Sequence, residues 1–340
     1  MAKRNSLCKL ATSVLQEFRG SLSSLEPTYT HIYVDSLASE EVILAVHSYF
    51  MPERTDATVR VSKLADGVSF VSGGIGRTGK NAAIPDIAVI IPTPTSQYED
   101  ALTMLVSHSI PCAVVVESAV EAQQIADTLY NTGLISIVAG TTEEVLFDRL
   151  SSWIATATEK SVSFAAAYPL CRTQVVKQIT AACAKENAAI GAVSLIPGSD
   201  MPLMTARQIR LALDITAAYN INMSVETIAE LLGVVGAGFG YRTVARTVAG
   251  TVPGFGWALK AGMGYAGTHT TARVIHAYAR KIAEKRDEVA ADSSTKTGRD
   301  SNHTVPRQKI ESRLSCVLNE KISSISLSPC FRMSRNPQDT

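Results

Sequence analysis

Hydrophobic positions along the chain follow two periods, and the change falls near residue 160. Ahead of that point, short runs rich in β-branched residues alternate with segments whose apolar positions recur every three or four residues. HIYVDS (31–36), DIAVII (86–91), PCAVVVES (111–118) and LISIVAG (134–140) read as strands, and DIAVII and PCAVVVES are apolar enough to be buried on both faces. Segments 39–50, 96–109, 120–133 and 142–158 read as helices; Ser39 is placed to cap the first and Gly133 to end the third. Residues 57–63 and 68–72 read as a strand pair joined by a turn at Asp66-Gly67, and 7–25 as a short amphipathic helix. This alternation predicts a parallel or mostly parallel sheet with helices on both faces.

Beyond residue 160 the strand signals stop. Helical patterns cover 172–194, 205–219, 224–248 and 253–285. Thr205 and Gln208 have capping-box spacing and mark a helix start. IPGSDMP (196–202) reads as a turn, with Asp200 capping it. After Glu288 the composition turns to Ser, Thr, Asn, Arg and Pro, which predicts a disordered tail apart from a weak helical pattern near 308–319. The expected fold class is therefore α/β, then all-α: a mostly parallel, doubly wound sheet followed by a Gly/Ala-rich helical domain. The expected layout is an N-terminal helix (1–29), an α/β domain (30–158), a helical domain (160–288) and a tail (289–340).

A length of 340 residues fits about two domains. The mean hydropathy of +0.12 allows a sizeable core. The net charge of +1 names no partner, but its distribution is uneven. Residues 31–150 hold 15 Asp and Glu against 6 Lys and Arg, a poor surface for nucleic acid. Residues 201–283 hold 8 Lys and Arg against 3 Asp and Glu, which suits an anionic lipid surface or simply a differently solvated face. The six cysteines form no CxxC and no regular spacing, which argues for a reducing compartment and against a zinc site; Cys112 and Cys183 sit in apolar runs and read as buried thiols. The start, MAKRNSLCKLATSVL, is basic but lacks the continuous apolar stretch of a cleaved signal peptide.

GIGRTGKN (74–81) matches the GxxxxGK phosphate loop through Gly74, Gly79 and Lys80, with Asn81 where Ser or Thr should hold magnesium. Its context is wrong. A phosphate loop opens a helix, so that helix N-terminal amides face the phosphates. Here Pro85 follows and leads into a strand, as a glycine-rich surface loop would. The first strand–helix junction, YVDSLASEEV (33–42), has the right architecture but neither glycine nor lysine. Its Asp35, Glu40 and Glu41 favour the helix dipole and repel phosphate.

The order of elements over residues 30–158 resembles an Era-like small GTPase domain. Against that family's pattern, DIAVII leads into PTPT (92–95) rather than Asp-x-x-Gly. The strand CAVVV ends in Glu117, Ser118, Ala119 and Val120 rather than Asn-Lys-x-Asp, and LISIVAG places Ala139 and Gly140 in the last nucleotide-side loop. The resemblance thus implies a GTPase-like fold with degenerate nucleotide motifs. Residues 164–284 resemble the helical domain of unknown function that follows Era-like GTPases and recurs in the YcjF family of inner-membrane proteins. The residues carrying that resemblance are Pro197, Gly198, Asp200, Pro202, Gln208, Tyr219, Arg242, Arg246, Pro253, Gly254, Gly256, Trp257, Lys260, Gly267 and Thr268. It implies a bacterial, often membrane-associated protein and no known reaction.

Glycine inside a helix is unfavourable by roughly 1 kcal/mol against alanine, so repeated glycine implies close helix approach. Gly236 and Gly240 form one small-residue stripe, and Ala258, Gly262 and Ala266 another. Joined by the turn Gly250–Pro253, they suit a tight hairpin, in a membrane or in a soluble bundle. Arg242, Arg246 and Lys260 interrupt any apolar span of about 20 residues. His269 and His276 lie two turns apart with no carboxylate at ligand spacing.

The expectation is a non-catalytic, pseudo-GTPase protein, cytoplasmic and membrane-associated, with no cofactor and no metal. Contact with a membrane surface, an inner membrane, a protein partner or another copy would run through Gly236, Gly240, Arg242, Arg246, Pro253, Gly254, Trp257, Lys260 and Gly262. An active nucleotide hydrolase using Lys80 and a soluble homo-oligomeric scaffold are the alternatives. Nucleic acid is not an expected partner.

Overall fold

In a computed structural model, residues 25–68, 84–128, 133–193, 201–222 and 256–296 are described. Five strands form one parallel sheet: β1 (Thr28–Val34), β2 (Ala57–Lys63), β3 (Ile87–Ile91), β4 (Cys112–Val116) and β5 (Ile135–Ala139). Their spatial order is β2-β1-β3-β4-β5, the order of flavodoxin-type doubly wound sheets. The segment 57–63 pairs in parallel directly with β1, from Thr28 opposite Ala57 to Val34 opposite Lys63. The turn read at Asp66-Gly67 is present: a 3-10 turn over Leu64–Asp66 ends at Gly67 with φ 71°. Its expected partner strand, 68–72, lies almost wholly outside the described residues.

The four expected helices of the first half are α1 (Glu40–Tyr49), α2 (Glu99–Ser107), α3 (Ala119–Thr128) and α4 (Glu143–Ala157). Strand alternation divides the apolar side chains between two cores. Ile87, Val89 and Ile91 of β3 join Ala113 and Val115 of β4 under α1 and α4. Ala88 and Ile90 join Cys112, Val114 and Val116 under α2 and α3. All five residues of β3 and all five of β4 are buried, as their continuous β-branched runs require.

The second half consists, among described residues, of α5 (Ser161–Ala167), a 3-10 turn (Pro169–Cys171), α6 (Arg172–Val193), α7 (Met201–Ala218) and α8 (Gly256–Lys296). Two helix ends differ from the sequence reading. Helix α7 begins at Met201, so Thr205 and Gln208 lie inside it rather than at its cap. Pro202 fits there because a first-turn residue has no carbonyl partner for its N–H. Helix α8 is 41 residues long, about 60 Å, and runs past Glu288 into the stretch read as a tail. The sheet's α1–α4 core continues without a break through Phe164, Val175 and Ile215 to Ile275 of α8.

Candidate functional site

Doubly wound sheets bind ligands beyond the carboxyl ends of their strands, where the order reverses. Here that crevice lies between β1 and β3. The loop after β1 is closed onto the end of β3: the Asp35 N–H donates to Ile91 O at 3.0 Å. The Asp35 carboxylate accepts the Leu37 N–H at 2.9 Å and the Thr93 hydroxyl at 3.4 Å. The Thr93 N–H in turn donates to Ser96 Oγ at 2.9 Å. The crevice floor therefore carries a carboxylate engaged with its own loops.

Each helix that starts at this edge carries acid in its first turn: Glu40 and Glu41 on α1, Glu99 and Asp100 on α2, Glu121 on α3, Glu143 and Glu144 on α4. Asp35 and Glu117 add to them, and no Lys or Arg occurs in 35–42, 92–101, 117–121 or 140–145. The carboxylates stabilise the four helix dipoles and cancel the positive potential that phosphate would need. Arg149, further along α4, donates to Ala139 O at the carboxyl end of β5 at 2.7 Å. An open cavity of about 540 Å³ lies between α1 and α4, lined by Glu41, Leu44, Glu117, Thr142, Glu143 and Leu146 among others. Gly140, in the loop that the resemblance places last on the nucleotide side, serves packing: a Cβ there would stand 2.7 Å from Leu146 Cβ.

Gly74, Gly79 and Lys80 lie outside the described residues. The chain returns at Ile84 and enters β3 at the opposite, amino-terminal edge of the sheet. There Asp86 bonds Tyr29 of β1 twice: its N–H donates to Tyr29 O at 2.8 Å, and its side-chain carboxylate accepts the Tyr29 N–H at 2.8 Å. Lys160 reaches the same carboxylate at 2.8 Å and Glu26 at 3.2 Å. The bond to Asp86 holds the Lys160 ammonium above the usual lysine range.

Of the contact residues expected in the helical half, Gly236, Gly240, Arg242, Arg246, Pro253 and Gly254 lie outside the described residues. Trp257 and Lys260 fall in the first turns of α8, and nothing of their side chains is described. Gly262 is exposed, with nothing within 4 Å of the place its Cβ would take, and Ala266 is exposed beside it. The close approach falls on the other side of α8. A Cβ on Gly264 would stand 2.7 Å from Asn187 O of α6 and 2.6 Å from Met204 Cε of α7. One turn on, Thr268 is fully buried and accepts the Asn187 amide at 2.8 Å while its own hydroxyl donates to Gly264 O.

The two halves meet at Arg172, which the sequence reading did not single out. The first residue of α6, it is 6% exposed. Its Nε donates to Ala165 O at 3.0 Å and Ala218 O at 3.1 Å, and its Nη2 to Glu53 at 2.5 Å. The guanidinium also lies over the Tyr219 ring, 5.4 Å from its centroid. The Tyr219 hydroxyl bonds His276 Nε2 at 2.7 Å, and burial lowers the pKa of His276. The His269 ring packs tilted against Tyr265, with centroids 4.6 Å apart. Cys112, Cys171 and Cys183 are free and buried, and burial pushes their thiols up to about 12, 12 and 11. They are packing residues rather than nucleophiles.

Among the described residues, no group of three or more His, Cys, Asp or Glu has the arrangement of a metal site, and no helix is long and apolar enough to cross a membrane. No family model matches the chain, and no curated protein matches it.

Proposed function

We propose that this is a non-catalytic interaction protein. Its α/β half is a doubly wound support without working nucleotide chemistry, in a strand order that departs from the Era-like resemblance, and its helical half adheres to a membrane surface or a protein partner. The observation that carries the reading is the acidic carboxyl edge of the sheet. Triphosphate would meet Asp35, Glu41, Glu117 and Glu143 where it needs amides and a lysine. The surplus of Lys and Arg over acid in residues 201–283 supports docking on an anionic lipid surface. The resemblance of 164–284 to the helical domain behind Era-like GTPases points the same way.

Titration calorimetry with GTP and ATP in magnesium is expected to show no binding heat. Micromolar binding that Lys80→Ala abolishes overturns the non-catalytic reading. Sedimentation with phosphatidylserine-containing vesicles is expected to carry the chain into the pellet at low salt and to release it at high salt. A chain that stays in the supernatant at every salt concentration refutes the membrane arm.

A further inference from the structure

Helix α8 changes character after Ala283. Upstream, Thr268, Thr271, Ala272, Ile275, Ala279 and Ala283 are buried against the body. From Glu284 to Val289 every side chain is exposed, yet the helix continues to Lys296. It ends in Asp292, Ser293, Ser294 and Thr295, poor helix formers. A helix of about 12–15 residues is marginal in water without tertiary packing.

Within α8, Glu284 pairs with Arg280 at 3.3 Å; among the described side chains, the two contacts that tie the extension to the body both run through Arg286. Its Nη2 lies 3.5 Å from Glu53 Oε2, and its Nη1 donates to Tyr219 O at 3.4 Å. Glu53 is already pinned to the helical half, since its N–H donates to Ala167 O at 2.8 Å. The carboxylate oxygen that Arg286 approaches is also the one bonded to Arg172 at 2.5 Å. Arg172 is buried and held by two further carbonyls, whereas the side chain of Arg286 is 40% exposed. Of the two arginines sharing one oxygen, Arg286 can leave without disturbing the core.

We propose that Glu284–Lys296 is a releasable strap, latched as helix onto the body by Arg286 at Glu53 and Tyr219. The latch decides whether Glu284–Lys296 is held as helix beside Glu53 or set free. Salt weakens it, because the Arg286–Glu53 pair is partly exposed.

Hydrogen exchange read by mass spectrometry on the full chain tests this. In Arg286→Gln, amides of 284–296 are expected to exchange about three- to fivefold faster, with 264–283 and the Tm unchanged. In Glu53→Gln the same amides should speed up and the Tm should also fall, because Arg172 then loses its carboxylate. Three results overturn the proposal: unchanged exchange of 284–296 in Arg286→Gln, acceleration that spreads through 264–283, or free-peptide exchange rates for 284–296 in the unsubstituted chain.

Discussion

The α/β half is filled by large side chains, and the helical half is drawn together by small ones. Between the sheet and α1–α4, Ile87, Val89, Leu150 and Ile154 are buried to 0% exposure, so the layers are spaced by branched side chains. Between α6 and α8, the contact runs over Gly264, Thr268 and Ala272, and the interior includes a fully buried Asn187. The difference teaches that the two halves fail in opposite ways. A core filled by bulk is damaged by truncation. A seam set by backbone approach is damaged by addition.

The largest effect is expected from truncation in the first half. Phe50 is 2% exposed and packs edge-on against Tyr49 at 5.0 Å and Tyr168 at 5.3 Å. Phe50→Ala should lower unfolding free energy by about 3–5 kcal/mol, read from urea titrations. A loss under about 1 kcal/mol would show that this core is not spaced by bulk. Next in size is the joint between the halves. Arg172→Met removes three hydrogen bonds and leaves Glu53 to Arg286 and water, for a loss of about 2–4 kcal/mol. A biphasic urea transition in that variant would show the halves unfolding separately, and a single transition would show that their continuous core suffices.

Much of the first half was legible because strand signals are local. DIAVII and CAVVV need no knowledge of their neighbours to read as buried strands, and Gly133 takes the positive φ, 73°, that glycine allows. The acidic crevice was legible at Asp35, Glu40 and Glu41 for the same reason. The seam of the second half was half legible. Ala258, Gly262 and Ala266 have the spacing of a contact stripe, and so do Gly264, Thr268 and Ala272. The two sets are offset by two residues, about 200° around the helix, and so face opposite sides. Spacing reveals that a stripe exists; only the partner helix decides which one is used. Arg172 and Glu53 are 119 residues apart in the chain, and no local pattern joins them. The end of α7 was missed in its chemistry. Asn220 takes φ 55° in a Schellman cap, with Ile221 N–H donating to Thr216 O, where glycine would be the usual signal.

Acid sharpens the comparison at a smaller scale, because β1 carries a buried base. His31 is 7% exposed, stacked on Tyr33 at 4.0 Å and bonded through Nε2 to Ser62 Oγ at 2.9 Å. Burial, with the positive charge of Arg60 adding to it, lowers its pKa from 6.5 to about 4. The unfolded chain therefore takes up this proton first as pH falls. The stability that goes with a neutral His31 is whole above pH 6.5 and is lost between 6.5 and 4. The loss is bounded at about 3 kcal/mol. His31→Phe should have a flatter stability profile across that window than the parent chain. Parallel profiles would mean that the ring is protonated in the fold.

The finest test sets two glycines of one helix against each other. Gly262 and Gly264 share sequence context, helical backbone and intrinsic propensity, so alanine offers each the same gain of about 0.5–1 kcal/mol from a stiffer unfolded chain. At Gly262 a methyl group meets nothing within 4 Å, and the gain should appear whole. At Gly264 the methyl would stand 2.6 Å from Met204 Cε, which can swing aside, and 2.7 Å from Asn187 O, which cannot without moving α6. Overpacking of about 1–3 kcal/mol then outweighs the gain, and Gly264→Ala should be net destabilising by about 1 kcal/mol. The two variants should therefore shift the Tm in opposite directions. Stabilisation by both would mean that α6 and α8 do not approach through their backbones at Asn187, and the contrast between a half filled by bulk and a half joined by small residues would fall with that contact.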